Sequence, residues 1–202
     1  MKIYITGPCG SGKTTLAKKL SDVVKIAHYC LDDLVFTFSP SKKGKVKFPK
    51  EVVSKNINRV LKKENWILEG KHPVIEGFKK CDLIVFMLPP LHTALFRQWS
   101  RFIKDKGQRQ LFGLKSNLKL SLKIIIQYLA KEDLNQADNL RYCRVGKLIR
   151  ISNFFADKTM IIKDVNADIY KEVIERIQAM IKGEQKEHNL FLENEELEGL
   201  YV

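Results

Sequence analysis

The chain has no apolar run approaching the ~20 residues needed to cross a bilayer, which excludes a membrane-spanning helix. Met1-Lys2 leads straight into a β-prone run, so no secretory leader is expected. Cysteine is sparse. Cys9, Cys30, Cys81 and Cys143 are scattered, with no Cys-x-x-Cys pair and no metal-ligand spacing, which argues against a disulfide framework or a thiolate metal site. Internal repeats and low-complexity tracts are missing too. Acids are short relative to bases, 23 Asp and Glu against 36 Lys and Arg, leaving a formal charge of +13. Such an excess suits a nucleic acid, a membrane surface or polyanionic small substrates. The expectation is a soluble protein of a reduced, cytoplasmic compartment.

With 202 residues, 45% hydrophobic and 29% charged, the chain is long and apolar enough for one globular domain with a real core. Its organising stretch is Gly7-Pro8-Cys9-Gly10-Ser11-Gly12-Lys13-Thr14, which fits G-x-x-x-x-G-K-[ST]. Met1 to Thr6 reads as a buried strand before it, and Leu16, Ala17 and Leu20 mark a helix after it. That order, strand, glycine loop, helix, turns the pattern into a structural statement. Gly7, Gly10 and Gly12 admit backbone angles and close approaches that a side chain blocks. The loop amides, from Gly7 through Thr15, can then converge on a phosphate at the positive end of the helix. Lys13 reaches the outer phosphates as a flexible point charge, and the Thr14 hydroxyl suits Mg²⁺, which takes oxygen ligands. Cys9 reads as a small tolerated side chain within the loop. A nucleoside triphosphate, ATP or another NTP, with Mg²⁺, is the expected ligand.

Further strands are expected at 26–31, 66–70, 81–88 and 157–162, alternating with helices, which implies a parallel five-stranded sheet with right-handed crossovers. Ligands of such sheets sit at the carboxyl ends of the strands. Asp32 and Asp33 stand there; Asp32 suits the metal and Asp33 an acceptor hydroxyl, unless one merely caps the next turn. Glu69, at the end of Trp66-Ile67-Leu68-Glu69-Gly70, is either a base or acceptor clamp, or a strand-end acid in solvent. Residues 39–49 read as a basic mobile loop, and a helix to about residue 63 leaves Arg59 on its solvated face. From 91 to 106 a helix is expected to bury Leu95, Trp99, Phe102 and Ile103, with Arg97, Arg101 and Lys104 opposite. A second, over 117–131, would bury Leu118, Leu122, Ile125, Ile126 and Leu129 and expose Lys115, Lys119 and Lys123. A third helical piece over 135–150, a final helix over 166–182 and an acidic tail over 183–202 complete the chain.

The glycine loop, the Leu31-Asp32-Asp33-Leu34 turn, Trp66 to Gly70, and the Leu83-to-Pro89 strand with its Arg-bearing helix together resemble the adenylate-kinase-like small P-loop kinases. Within these the "DNA topology modulation protein" branch is the most similar, over about residues 1–180. The resemblance implies a three-layer αβα P-loop NTPase fold of the nucleoside-kinase type, with strand order 2-3-1-4-5. It also implies one domain over 1–182, an acceptor region at about 34–64 and a helical lid at about 91–150. Lid arginines that embrace the transferring phosphoryl map onto Arg97 and Arg101, with Arg109 a further candidate, and the base contact falls near Asp164 to Asn166. The chain departs from adenylate kinase in a longer, more helical lid and in lacking its arginine pair for a nucleoside monophosphate.

The implied activity is Mg²⁺-dependent transfer of the γ-phosphoryl of ATP to a small nucleoside-, nucleotide-like or other hydroxyl acceptor. Two alternatives stand beside it: an ATP-dependent nucleic-acid-binding protein and a regulatory NTPase. Few aromatic residues interleave with the basic faces and no nucleic-acid recognition motif occurs, so nonspecific backbone contact is the form such binding would take. The carboxyl end of the fourth strand carries Leu88-Pro89 where an ATPase would hold an acid.

Overall fold

The computed structural model describes residues 1–39, 44–71, 74–104, 106–129, 153–163 and 167–183. In chain order the elements are β1 (Lys2–Thr6), α1 (Lys13–Val24), β2 (His28–Cys30), α2 (Leu31–Val35), β3 (Phe36–Ser39), β4 (Gly44–Lys47), α3 (Lys50–Leu61), β5 (Trp66–Gly70), α4 (Ile75–Lys80), β6 (Leu83–Met87), α5 (Leu91–Lys104), α6 (Lys106–Leu129), β7 (Thr159–Ile162) and α7 (Ala167–Ile181). Five strands form one parallel sheet in the order β2-β5-β1-β6-β7. Counted among themselves, these strands run 2-3-1-4-5, the order expected, and with the glycine loop after β1 this is the P-loop NTPase fold.

Alternation along each strand builds two cores, because successive side chains point to opposite faces. Ile3, Ile5, Ile67, Val85 and Met87 face α1 and α7, where Leu16, Leu20, Val173 and Ile177 cover them. Tyr4, Trp66, Leu68 and Ile84 face the other way, under Leu31, Leu61 and Phe78. A sheet buried on both faces reads as near-continuous apolar runs, which is why β1, β5 and β6 were legible as strands. Among the described residues no helix is long and apolar enough to cross a membrane.

Local detail corrects or adds to these expectations. The basic stretch after Ser39 is not simply a loop: β3 and β4 pair antiparallel, Thr37 opposite Val46 and Phe38 opposite Lys45. Asp32 and Asp33 lie just past the carboxyl end of β2, which stops at Cys30, and form part of the first turn of α2. The short helix α4 fills the crossover before β6, with Phe78 packed on Tyr4 at a ring separation of 4.4 Å. On α5 the expected face holds in part, with Leu95, Trp99 and Phe102 half-buried and Arg101 and Lys104 exposed. The fully buried residues of α5 are nevertheless Ala94 and Gln98, and Ile103 is exposed; on α6 the expected apolar face is turned outward. On α6, Asn117, Ser121 and Ile124 are buried while Leu118, Leu122 and Ile126 are exposed, and Gly113 breaks the helix at φ 58° and ψ 169°. The piece expected over 135–150, Asp164 to Asn166 and the tail from Glu184 lie outside the described residues, as does the side chain of Arg109.

Trp66 lies wholly inside the second core. Trp66→Ala is expected to cost about 3–5 kcal/mol through lost burial and the cavity left behind. Phe96→Ala, on an exposed position of α5, is expected to stay within ~0.5 kcal/mol. Urea unfolding of the two variants beside wild type measures both.

Candidate active site

Residues 7–12 carry the chain from the end of β1 to the start of α1. Gly10 has φ +79°, and a Cβ there would stand 2.4 Å from the Ala94 carbonyl oxygen, so α5 rests directly on the loop backbone. Gly12, at φ +94°, is the N-cap of α1, and a Cβ on it would lie 2.3 Å from the Tyr170 hydroxyl. Arg97 donates from Nη1 to the Ser11 carbonyl at 3.3 Å, and Tyr170 donates to the Gly12 carbonyl at 3.5 Å. The loop is therefore held from two sides, by α5 and α7. Lys13 is 9% exposed; its Nζ donates to the Pro8 carbonyl at 2.7 Å and to Ser11 Oγ at 3.3 Å, which holds the ammonium over the loop.

Beside Lys13, Thr14 donates from Oγ1 to Glu69 Oε1 at 2.9 Å. Glu69 is only 3% exposed, so it is not the solvated strand-end acid that the sequence left open. Parallel pairing sets Glu69 opposite Ile5 on one side and Cys30 on the other. The Cys30 thiol hydrogen-bonds the Glu69 carboxylate; burial first, and then the carboxylate's charge, push that thiol up to about 12. Cys30 is thus a protonated donor to Glu69 rather than a nucleophile. His28 Nε2 stands 4.0 Å from Glu69 Oε1. Burial holds its imidazole below the ordinary value, against the opposing pull of Glu69.

The loop, the end of β5 and the α5–α6 pair enclose a cleft of about 470 Å³. Gly10, Gly12, Lys13 and Thr14 line it together with Asp32 and Glu69, and Arg101 enters from α5. Of the predicted site residues, Cys9 is also on this wall. Pro8 and Ser11 act through their own contacts with Lys13, Gly7 precedes them, and Thr15 is exposed on α1. Arg97 and Arg101 part company: Arg97 engages the loop carbonyl, while Arg101 lines the cleft. Asp33 is exposed and outside the lining, and Arg59 is exposed. The region expected to hold the acceptor, 34–64, contributes none of the described lining residues.

Among the lining residues that sequence reasoning did not assign to the site, Lys71 follows β5, Cys30 ends β2, and Gln98, Asn117 and Lys123 come from α5 and α6. Gln98 Nε2 donates to both the backbone carbonyl and the side-chain Oδ1 of Asn117, and Ser121 Oγ donates to Gln98 Oε1 at 2.9 Å. This buried polar knot joins α5 to α6. Tyr128, whose phenol burial shifts upward, donates to the Pro89 carbonyl at 2.8 Å and ties α6 to the end of β6. The available signal was the small Ala94 one turn before Gln98, which marks the helix face that approaches the loop.

No family model and no curated protein matches the sequence. Among solved structures, the chain is similar to a shikimate kinase from Bacteroides thetaiotaomicron at 16% identity and TM-score 0.49, covering 90% of this chain and 98% of that one. It is also similar to a shikimate kinase from Acinetobacter baumannii in complex with shikimate, at 14% identity and TM-score 0.48, over 92% and 95% of the two chains. An uncharacterized protein from Eubacterium ventriosum follows at 17% identity and TM-score 0.46, over 91% and 98%.

Gly10→Ala is expected to destabilise the fold by more than the ~1–2 kcal/mol of left-handed strain alone, because the Cβ also meets the Ala94 carbonyl. A urea midpoint unchanged from wild type would show that α5 does not bear on the loop. His28 gives a pH signature. Its folded value lies below 6.5, so the unfolded chain binds the proton first; stability is complete above the unfolded value and is lost as pH falls through it. Between about pH 7.5 and 5.5 the thermal midpoint of wild type is expected to drop more than that of His28→Gln.

Proposed function

We propose that the chain is a P-loop kinase that transfers the γ-phosphoryl of ATP, or of another NTP, to a hydroxyl of a small-molecule acceptor. The observation that carries this reading is the single cleft in which the glycine loop, two carboxylates and an arginine of the lid helices meet, with room left beyond Lys13. In it the loop amides and Lys13 bind the β- and γ-phosphates of the substrate nucleotide. Thr14 and Asp32 offer the oxygen donors that Mg²⁺ prefers. When bound, Mg²⁺ would neutralise phosphate charge. Phosphoryl transfer asks the protein mainly for positioning and charge stabilisation. Arg101 faces the transferring group, and Arg97 stiffens the loop from behind through the Ser11 carbonyl. Glu69, buried and oriented by Thr14 and Cys30, accepts a hydrogen bond from the acceptor hydroxyl and turns its oxygen toward the phosphorus. Asp33, exposed and away from the cleft, has no part in this reading. Residues 1–182 act as one catalytic domain whose lid, over 91–150, provides α5 and α6 as one wall.

Nucleotide turnover is measured with wild type and Lys13→Ala, against a panel of nucleosides, nucleotides and other small alcohols, with DNA as a further arm. One small acceptor is expected to stimulate turnover and to appear phosphorylated, and Lys13→Ala is expected to lose at least ~10²-fold, the scale of removing one charge-stabilising donor. Turnover that ignores every small molecule and rises with DNA would overturn the kinase reading in favour of a DNA-linked ATPase.

A further inference from the structure

Along α6 an apolar row faces outward. Leu114, Leu118 and Leu122 are each more than half exposed, and Ile126 continues the row as an exposed residue. A spacing of four sets them one above the other on a single face of the helix. Directly after each leucine stands a lysine, Lys115, Lys119 and Lys123, all three exposed, so a basic row runs alongside the apolar one. The opposite face is already occupied: Asn117, Ser121 and Ile124 are buried, and Gln98 of α5 bonds Asn117. Isolated exposed leucines are ordinary, but an ordered apolar row rimmed by charge of one sign is the form of a docking surface. The other basic helix face, Lys55, Arg59 and Lys62 on α3, lacks such a row, since Val52 is the only exposed large apolar residue of that helix.

The chain itself holds a segment of complementary chemistry. Residues 184–202 carry six of the 23 acids and one of the 36 bases, and set Leu190, Phe191, Leu192, Leu197, Leu200 and Tyr201 among those acids. Two competing occupants have the wrong sign. Residues 130–152, which follow α6, hold five Lys and Arg against three acids, and a second copy would bring its own lysine row against this one. An anionic lipid surface has the right sign, and an apolar row beside a basic one suits it. It has to displace a segment tethered to the same chain, however, whose effective concentration over a short connection is in the ~mM range.

Length permits the contact. α7 begins beside the glycine loop, where Tyr170 meets the Gly12 carbonyl, and its 15 residues carry the chain about 22 Å from there. α6 lies on the loop's side of the sheet, where Tyr128 bonds the Pro89 carbonyl just past β6. Doubling back along α7 and then following the row from Leu114 to Ile126 takes about 40 Å, whereas the tail reaches ~60 Å when extended. That leaves ~20 Å to cross between the two helices.

We propose that the acidic tail, residues 184–202, docks on the outer face of α6, its leucines and aromatics on the row of Leu114, Leu118 and Leu122 and its glutamates against Lys115, Lys119 and Lys123. The contact is intramolecular and does not depend on the kinase reading.

The test places p-benzoylphenylalanine in place of Leu118 in the full chain and identifies by mass spectrometry what light couples to it. The expected product has the mass of one chain, forms at a yield independent of protein concentration, and joins position 118 to a peptide within 184–202. Lys115 and Lys119 are exposed, so exchanging them leaves the fold intact. Lys115→Glu with Lys119→Glu is expected to lower the yield at least ~3-fold, as is raising the salt from ~0.05 to ~0.5 M. Adding Glu195→Lys and Glu196→Lys to that pair is expected to restore the yield to within ~2-fold of the parent, the signature of a direct charge contact. A parallel arm adds vesicles of phosphatidylcholine with ~30% phosphatidylserine, the anionic lipid that attracts basic surfaces. Coupling to lipid in place of the tail would overturn the proposal and make a membrane the occupant. Coupling to residues 130–152, a product with the mass of two chains, or no product would overturn it as well. So would a yield that ignores the lysines or fails to recover when the charges are exchanged.

Discussion

The contact on which the rest of this molecule depends is the seat of α5 on the glycine loop. The Ala94 carbonyl lies so near Gly10 that no Cβ fits between them, and one turn along the helix Arg97 holds the Ser11 carbonyl. This contact fixes the direction in which the next turn points. Gln98 and Arg101 follow at helical spacing, so seating Ala94 on the loop places both along the cleft. Gln98 then grips Asn117 and thereby sets the position of α6. The wall opposite the loop is thus a consequence of one small residue on α5 and one glycine on the loop. Such preorganisation is what a reaction dominated by positioning requires.

A second dependence runs through Glu69. Burying a carboxylate is costly unless donors meet it. Here the donors are Thr14 Oγ1 and the Cys30 thiol, with the His28 imidazole at the edge of reach. They come from two elements, Thr14 from α1 and His28 and Cys30 from β2, and the parallel register of β2 with β5 brings Cys30 and Glu69 side by side. Because Cys30 keeps its proton and His28 is held neutral by burial, the negative charge of Glu69 is hydrogen-bonded but not cancelled. A carboxylate in that condition keeps its capacity to accept a further hydrogen bond.

The sheet and the loop were legible because their signals are local. A β-prone run, a glycine pattern and an amphipathic helix stand within the first twenty residues, and the pleat makes doubly buried strands apolar throughout. The position of Glu69 at a strand end was legible too, although whether it met solvent or donors depended on Cys30 and Thr14, which are remote in sequence. Reading α6, and in part α5, by amphipathicity failed for a physical reason. That rule assumes that polar faces meet water and apolar faces meet the core. On α5 and α6 the inward faces meet a polar cleft and each other, so Gln98, Asn117 and Ser121 are buried while Leu118 and Leu122 are exposed. The hairpin was hidden by its lysines, although Lys45-Val46-Lys47 alternates with the period of a strand.

The excess positive charge has to be read in the same light. As a sum, +13 points equally to a nucleic acid or to polyanionic small molecules. Its placement distinguishes them. Lys13, Lys71, Arg101 and Lys123 line one enclosed space of about 470 Å³, a volume suited to a small ligand rather than a duplex. The lysine stripe expected in solvent is exposed at Lys115, Lys119 and Lys123, and Lys123 also lines the rim of the cleft. Exposed neighbours at helical spacing are screened within about 10 Å at ordinary salt, but cations facing a partly closed cleft are screened less and act on what enters it. The charge with the greatest effect is therefore the part that surrounds the cleft. That distribution favours a molecule whose electrostatics are directed inward, at small anions.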